Sequence, residues 1–384
     1  MGAVRRSPPL PLRSRSLLLA STAVFLLACA GAFNGAAAAP KPDAKAAKPT
    51  KEAKGAKASK DAVTASTNPQ APVAGETASL HNPYAEGECG FCHLNKDPKN
   101  VGALKKPVNE LCLSCHEDYA EALKVRKVKH RPAVDNCTNC HNAHNSLDKS
   151  LLLKDSATLC LGCHELIKED TKAKVKHAPV MTGKRCVGCH NPHASDVQAL
   201  LSAKPYDLCV SCHAADAMKD NDGKDISNIK KLLDENPSHH GPIAAKDCSA
   251  CHQPHGSENF RLLTNAYPAA FYAPYDPANY KLCFECHNPE IAKTEQTTTL
   301  TKFRDGSRNL HYLHINREKG RTCRACHEVH ASKQAHQIRD GVPYGSSGWI
   351  LKVNYTQTPT GGSCAKTCHG AKSYDNSPAA SAQK

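Results

Sequence analysis

The chain has 384 residues, including 21 cysteines and 22 histidines, with a formal net charge of +14. Only 5% of the residues are aromatic and the mean hydropathy is −0.52, which excludes a large core built from apolar side chains alone. Residues 1–80 hold half of the net charge and the rest is spread over 304 residues, so the sequence shows no concentrated basic surface for nucleic acid.

Residues 1–30 have the pattern of a signal peptide. Four arginines precede an apolar run from Leu17 to Ala28, which is too short to span a bilayer comfortably and ends in small residues. Cys29 fits a bacterial lipoprotein box, in which it would carry a lipid anchor, and the same residues fit ordinary cleavage. The protein is therefore predicted to be exported, to the periplasm or to the outer membrane and extracellular surface.

Residues 31–79 consist mainly of Ala, Lys, Pro, Thr and Ser. Such a segment buries too little apolar surface to offset the entropy of ordering its backbone. We predict a disordered linker here, followed by one domain over residues 80–384.

The domain contains ten pairs of cysteines, each followed directly by a histidine, nine as Cys-x-x-Cys-His and the last as Cys-x-x-x-Cys-His. The cysteines are Cys89, Cys92, Cys112, Cys115, Cys137, Cys140, Cys160, Cys163, Cys186, Cys189, Cys209, Cys212, Cys248, Cys251, Cys283, Cys286, Cys323, Cys326, Cys364 and Cys368. The histidines after them, here called proximal, are His93, His116, His141, His164, His190, His213, His252, His287, His327 and His369.

This spacing is the attachment signature of c-type haem, because two thiols about one turn apart add to the two vinyl groups of a porphyrin and the next residue places an imidazole at its iron. Zinc ribbons and disulfide frameworks also use many cysteines, but neither explains a histidine after every pair. We predict ten covalently attached haem c groups, numbered here as sites one to ten in chain order.

The ten sites fall into a fivefold repeat with units starting near residues 81, 130, 177, 240 and 314. A unit has a leading histidine, a first site, a post-site histidine three residues beyond the proximal one, and a second site. We expect a mostly coil fold with short α-helices and little β-structure, for example helices around Cys112–Val128 and Cys160–Val175, with the porphyrins forming the core.

Unit three shows the repeat in full, with His177-Ala-Pro before Cys186-Val-Gly-Cys-His190-Asn-Pro-His193. This arrangement resembles the doubled-CXXCH multihaem c-type cytochromes, a group related to the decahaem electron conduits of bacterial respiration. The resemblance implies bis-histidine haems in an extended chain and a role in electron transfer. Unit one departs from the pattern because Lys96 stands where the post-site histidine is expected.

Nine further histidines fit the repeat as distal iron ligands, opposite the proximal ones. They are His81, His130, His144, His177, His193, His240, His255, His314 and His330. His314 is preferred to His311 as the leading histidine of unit five because it lies 9 residues before its first cysteine, as His177 does. The tenth distal ligand is left open between His239, His311, His336, Lys96 and none.

The post-site histidine predicts contact between haems. At positions i and i+3 of a helical turn the two imidazoles point the same way and cannot bind one iron from the same side. His141 would then hold its own haem while His144 reaches a neighbour.

Two insertions and the tail lie outside the repeat. Residues 216–235 have helical spacing and predict a surface helix. The aromatic residues of 267–280 are expected to pack on haem edges or to dock a partner. The tail from about Ser373 is predicted to be disordered.

These features favour an electron-transfer relay in anaerobic or extracellular respiration, and not an enzyme. Its partners would be donor and acceptor redox proteins, with a separate barrel protein needed to cross an outer membrane. Two alternatives remain. A reductase would need one iron with an open position, for which unit one is the candidate. A subunit of a cytochrome filament would take a distal histidine from the next copy.

Overall fold

The chain is described here from a computed structural model, which covers residues 71, 73, 76–344, 349–364 and 368–382. These residues belong to one unit, Thr64–Lys384. The predicted signal peptide, Cys29 and the first forty residues of the predicted linker, 31–70, lie outside the described residues. No helix among the described residues is long and apolar enough to cross a membrane.

The regular elements of the described residues are short, as predicted, and the longest helix among them has 9 residues. The helices are Asn82–Ala85, Val108–Leu113, Glu117–Val125, Arg131–Asp135, Ser156–Leu161, Glu165–Asp170, Ala178–Met181, Pro205–Cys212, Ile229–Glu235, Gly241–Ala244, Lys281–Phe284, Glu290–Lys293, Leu310–Ile315 and Pro378–Ala382. The 3-10 turns are Cys89–Phe91, Cys137–Asn139, Lys149–Leu151, Arg185–Gly188, Gln198–Leu200, Phe260–Leu262, Pro277–Tyr280, Cys323–Ala325 and Ala335–Gln337.

The strands form small antiparallel sheets. The paired strands are Ser79–Leu80 with Asn145–Ser146, Val128–Lys129 with Ala194–Ser195, Val175–Lys176 with Gly256–Ser257, Ser238–His239 with Ala331–Ser332, Met218–Lys219 with Asp225–Ile226, Tyr272–Ala273 with Gly320–Arg321, Arg304–Asp305 with Arg308–Asn309 and Gly341–Pro343 with Ile350–Lys352. A three-stranded sheet contains Thr356–Thr358, Gly361–Cys364 and Lys372–Asp375.

The leading histidine of each of the first four units immediately precedes a short helix. His81, His130, His177 and His240 occupy the N-cap position with extended backbone, and a proline follows in the first turn of the helix. Proline is favoured there because its fixed φ suits a helix start and its missing N–H needs no partner. The His-x-Pro motif therefore sets the point at which the chain turns away from the histidine.

Neighbouring units are joined by two-residue ladders. The strand before each leading histidine pairs with the strand after the post-site histidine of the next unit, as Val128 does with Ser195 and Lys129 with Ala194. Ladders of this length are not stable alone. Each unit consequently completes its structure only when the following unit is in place.

A buried serine stabilises each of these joints. Ser195 donates a hydrogen bond to the carbonyl of Leu201 at 2.5 Å and accepts one from the N–H of Val197 at 3.0 Å. Its counterparts Ser146, Ser257 and Ser332 make the same two bonds in units two, four and five. Since a buried hydroxyl without partners is costly, the serine fixes one conformation of the turn.

Unit four needs a glycine in its joint. A Cβ atom added to Gly256 would lie 2.0 Å from the carbonyl oxygen of Asp170, at the end of the helix that closes unit two. The position holds Asn145, Ala194 or Ala331 in the other units. Here the two backbones approach too closely for any side chain.

The described residues at the end of the predicted linker make contacts with unit two. The side chain of Asn145 accepts from the N–H of Val73 at 2.7 Å and donates to its carbonyl at 2.9 Å. Asn142 donates to the carbonyl of Ala71, and Ser79 is already in a ladder. Two amide side chains of unit two thus provide partners that composition alone does not reveal.

The two insertions fold differently from each other. Residues 216–235 form the hairpin Met218–Lys219 with Asp225–Ile226 and then the helix Ile229–Glu235, so the predicted helix is shorter than the periodic pattern. In the second insertion Tyr267 and Tyr280 are buried with Leu263 in a cluster of apolar side chains. This cluster lies where an insertion interrupts the repeat, and here apolar side chains pack against one another.

The predicted disorder of the tail is wrong. Residues Lys372–Asp375 form a strand and Pro378–Ala382 a helix. The buried Arg304 donates hydrogen bonds to the carbonyl of Asn376 at 2.6 Å and to the hydroxyl of Ser381 at 2.7 Å. A polar tail is ordered here because one arginine some seventy residues earlier satisfies its backbone.

We expect Arg304→Gln to release this tail. Glutamine cannot reach the carbonyls of Gly306 and Asn376 and the Ser381 hydroxyl together, and loss of these charge-assisted bonds should cost about 2 kcal/mol. Limited proteolysis followed by mass spectrometry should show early cleavage after residue 370. The exposed Arg308 on the neighbouring strand provides the control, and equal cleavage of Arg304→Gln and Arg308→Gln would contradict the prediction.

Candidate haem sites

Every proximal histidine ring faces a second histidine ring, with centroids 6.0–6.5 Å apart. Nine pairs have interplanar angles of 20° or less and the last pair is tilted by 38°. The pairs, proximal residue first, are His93–His144, His116–His81, His141–His193, His164–His130, His190–His255, His213–His177, His252–His330, His287–His240, His327–His311 and His369–His314.

This spacing fits an iron held between two imidazoles. Two metal–nitrogen bonds of about 2 Å, with roughly 1 Å from each nitrogen to its ring centre, place the ring centres about 6 Å apart. Within the described part of the chain, no group of three or more His, Cys, Asp or Glu side chains is arranged to hold a metal ion by itself. The ring pairs therefore suit a metal whose other ligands come from a porphyrin.

The pairing follows one rule along the repeat. A leading histidine faces the second site of its own unit, as His130 faces His164. A post-site histidine faces the first site of the preceding unit, as His193 faces His141. At the corresponding position of unit one stands Lys96, and residues 1–80 contain no Cys-x-x-Cys-His motif.

Unit five departs from the rule at its first site. His314 faces His369 in the second site, as a leading histidine does. His311, one helical turn earlier, faces His327 of the first site, so both rings of that pair come from unit five. Burial lowers the pKa of His311 to about 3, which keeps its imidazole neutral. Among the residues that the histidine count left open as the tenth distal ligand, His311 is the one whose ring faces a proximal histidine.

The other residues considered for a tenth ligand have different surroundings. His239 lies in a ladder and its Nε2 contacts the carbonyl of Leu233 at 3.0 Å. His336 contributes its backbone carbonyl, which accepts from Nδ1 of His327. Lys96 is exposed and its side chain lies against Gly90.

In the first site of every unit, the proximal histidine is hydrogen-bonded to a backbone carbonyl. Nδ1 of the proximal histidine donates to the carbonyl of the residue nine positions later, at 2.7–3.0 Å. Because a carbonyl can only accept, Nδ1 carries the proton and Nε2 is free to face the iron. The acceptors are Gly102, Ser150, Ala199, Arg261 and His336.

All five acceptors have a positive φ, between 53° and 71°. Two residues further on, a leucine or isoleucine bridges back to the proximal histidine, as Leu201 does to His190. The sequence analysis missed these acceptors. The apolar residue at a constant spacing of eleven from each first-site histidine was the signal that could have located them.

The helical interpretation of the post-site histidine is wrong, although its conclusion about a neighbouring site agrees with the ring pairs. His141 forms a bridge with Leu152 and the segment to His144 is a bend, not a helical turn. The bend is held from the preceding unit, where His81 donates through its N–H to the carbonyl of His144 and through Nδ1 to that of Ala143, both at 2.8 Å.

The cysteines bring consecutive sites together. Within units, burial raises the pKa of the second cysteine of the first site and the nearby second site raises it further, as Cys115 does for Cys92. Between units, the thiol of Cys112 donates to the sulfur of Cys137 and lowers its pKa to about 7. Equivalent contacts occur for Cys160 with Cys186, Cys209 with Cys248 and Cys283 with Cys323.

A protein-family comparison agrees with this geometry. The model of the doubled CXXCH motif matches residues 81–121, 130–169, 177–218 and 240–292, and each match begins at a leading histidine. The chain belongs to the doubled-CXXCH multihaem c-type cytochromes. Its CXXCH motifs attach haem c covalently, and its function is electron transfer. A comparison with curated protein sequences gave no match.

The positive φ of the acceptors gives this cytochrome a specific stability signature. Ala199 has φ of 54°, so Ala199→Gly should raise the stability of the protein by about 1 kcal/mol, whereas Ala199→Val should lower it. Ala120→Gly, inside the helix Glu117–Val125, should cost about 0.5–1 kcal/mol. Thermal unfolding of the three variants checks the opposite signs, and destabilisation by both glycine substitutions would contradict this account of the acceptor.

Proposed function

We propose that this cytochrome binds ten haem c groups, each between two histidines, and relays electrons along them outside the inner membrane. The observation that carries the proposal is the set of ten ring pairs at a spacing that suits an iron. Bound haem supplies reversible one-electron chemistry.

In this scheme the chain itself provides both axial ligands at every site. The proximal histidines and the nine predicted distal histidines hold the irons, and His311 completes site nine. Burial lowers the pKa of several of them, among them His252 and His327, which favours the neutral imidazole that binds metal. Carbonyl acceptors behind the first-site histidines fix the ring orientation.

The cysteine contacts support an unbroken series of sites. Each site has a cysteine whose pKa is raised by a nearby cysteine of the next site, from Cys92 beside Cys115 to Cys326 beside Cys364. Because each cysteine anchors a porphyrin edge, consecutive edges would lie near one another. Such a series suits transfer along the chain better than storage at isolated centres.

The ring pairs weigh against the two alternatives. A reductase needs one iron with an exchangeable position, and the first site of unit one, the candidate for it, pairs His93 with His144. A filament in which a distal histidine comes from the next copy needs a proximal ring with no partner in its own chain. Both ends of this array have internal partners, His81 with His116 and His314 with His369.

The export signal in residues 1–30 supports a location in the periplasm or at the outer surface. We propose donor and acceptor redox proteins as partners there, with transfer at the haem edges of the first and last sites. Ala71 and Val73 of the predicted linker are hydrogen-bonded to unit two, so we propose that the linker holds the domain by its N-terminal end.

The haem count and ligation test the proposal directly. Intact mass of the holoprotein should give ten haems, and EPR of the oxidised protein should show only low-spin iron. A high-spin haem that binds nitric oxide in the wild-type protein would make the reductase the better description. A mass equivalent to fewer than ten haems would show which attachment sites are not used, after peptide mapping.

His311→Ala should convert one haem in ten to a high-spin, ligand-binding form, because site nine then loses its distal imidazole. The control is His239→Ala, since this ring contacts a carbonyl and faces no proximal histidine. EPR and carbon monoxide difference spectra measure the outcome. An unchanged low-spin spectrum in His311→Ala, with full haem content, would exclude His311 as a ligand.

A further inference from the structure

The backbone of His311, which faces the proximal histidine of site nine, is held by a buried amide side chain. Asn309 is fully buried, and its side-chain oxygen accepts from the N–H of His311 at 2.9 Å. Its side-chain nitrogen donates to the carbonyls of Ile291 and Thr294 at 2.9 and 2.8 Å. Because both the oxygen and the nitrogen of this amide have partners, the start of the helix that carries His311 has one arrangement.

The ring of His311 contacts a hydroxyl group. The Oγ1 atom of Thr301 lies 3.1 Å from Nδ1 of His311, and the same oxygen accepts from the N–H of Phe303 at 3.0 Å. An iron at Nε2 leaves the proton of the imidazole on Nδ1, so Nδ1 donates and Oγ1 accepts both bonds. The Phe303 ring also packs against the His311 ring, with centroids 5.1 Å apart and an interplanar angle of 77°. Residues 301–303 thus set the orientation of this imidazole.

Backbone carbonyls take the place of this hydroxyl at other distal histidines. Nδ1 of His81, of His130 and of His314 lies 2.7–2.8 Å from a carbonyl oxygen. A hydroxyl oxygen is a weaker acceptor than a peptide carbonyl, and the contact of His311 with Thr301 is longer. The Nδ1–H bond of His311 is therefore less polarised, and its Nε2 donates less charge to a metal.

We propose that Thr301 is a positioning residue that sets the reduction potential of the haem at site nine through His311. This inference rests on the proposed function, because it assumes a haem between His311 and His327. An acceptor at Nδ1 makes the imidazole a stronger donor, which stabilises the oxidised iron and lowers the potential. The Thr301 hydroxyl lowers it by less than a carbonyl would, and removal of the hydroxyl raises it.

Spectroelectrochemistry of threonine variants tests this role. In Thr301→Val about one tenth of the α-band amplitude, the share of one haem in ten, should move to higher potential. Thr301→Ser retains the hydroxyl and should superimpose on the wild type. Thr297 provides the matched control, because its Oγ1 accepts from the backbone N–H groups of Thr299 and Leu300. Thr297→Val removes turn bonds of the same kind and should leave the curve unchanged.

A second pair of variants decides the result if Thr301→Val attaches fewer haems by intact mass. Thr301→Ser and Thr301→Ala differ by one oxygen atom, and only the alanine variant should shift. Superimposable curves for these two variants, each with ten haems, would overturn the proposal. An equal shift in Thr297→Val would also overturn it, since the effect would then come from the turn and not from the imidazole.

The spectrum of His311→Ala separates this inference from the proposed function. A high-spin haem in His311→Ala, together with unchanged curves in the Thr301 variants, would overturn the role of Thr301 and leave the ligation scheme intact. A fully low-spin spectrum in His311→Ala with ten haems would refute His311 as a ligand, and the role of Thr301 with it.

Discussion

The alignment of two imidazoles from consecutive units is the constraint on which the rest of this structure depends. A leading histidine is placed by a proline-started helix, and the post-site histidine that lies beside it comes from the next unit. Two-residue ladders and a buried serine hold the two segments together. The units are therefore coupled by the same residues that face the metal positions, and side-chain packing contributes mainly where the repeat is interrupted.

The two ends of the array differ from the units between them. At the first unit Lys96 stands where the repeat has a post-site histidine, and the backbones of Ala71 and Val73 are hydrogen-bonded to the side chains of Asn142 and Asn145 in unit two. At the last unit the ring that faces the first-site histidine comes from the same unit, since His311 faces His327.

Most of the fold and of the candidate sites that could be predicted came from local sequence patterns. The attachment motifs, the repeat and the nine histidines predicted as distal ligands recur at fixed spacing, so the sequence alone indicates them. The pairing between units could not be predicted, because a ladder such as Val128–Lys129 has no pattern that distinguishes it from coil. The order of the tail depends on a contact with Arg304, and the need for glycine at position 256 depends on a contact with Asp170. Each contact joins residues far apart in the sequence, and no repeated spacing indicates it.

The cross-unit ladder gives the chain a direction of assembly. For a chain that emerges from its amino terminus, His93 meets no partner ring until His144, about fifty residues later, has appeared. The second site of the same unit has its partner, His81, at hand already. In each unit the ring pair of the second site would therefore form first, and the ring pair of the first site would form only after the next unit has emerged. Unit five does not depend on a later unit, because His311 provides the second ring of its first site.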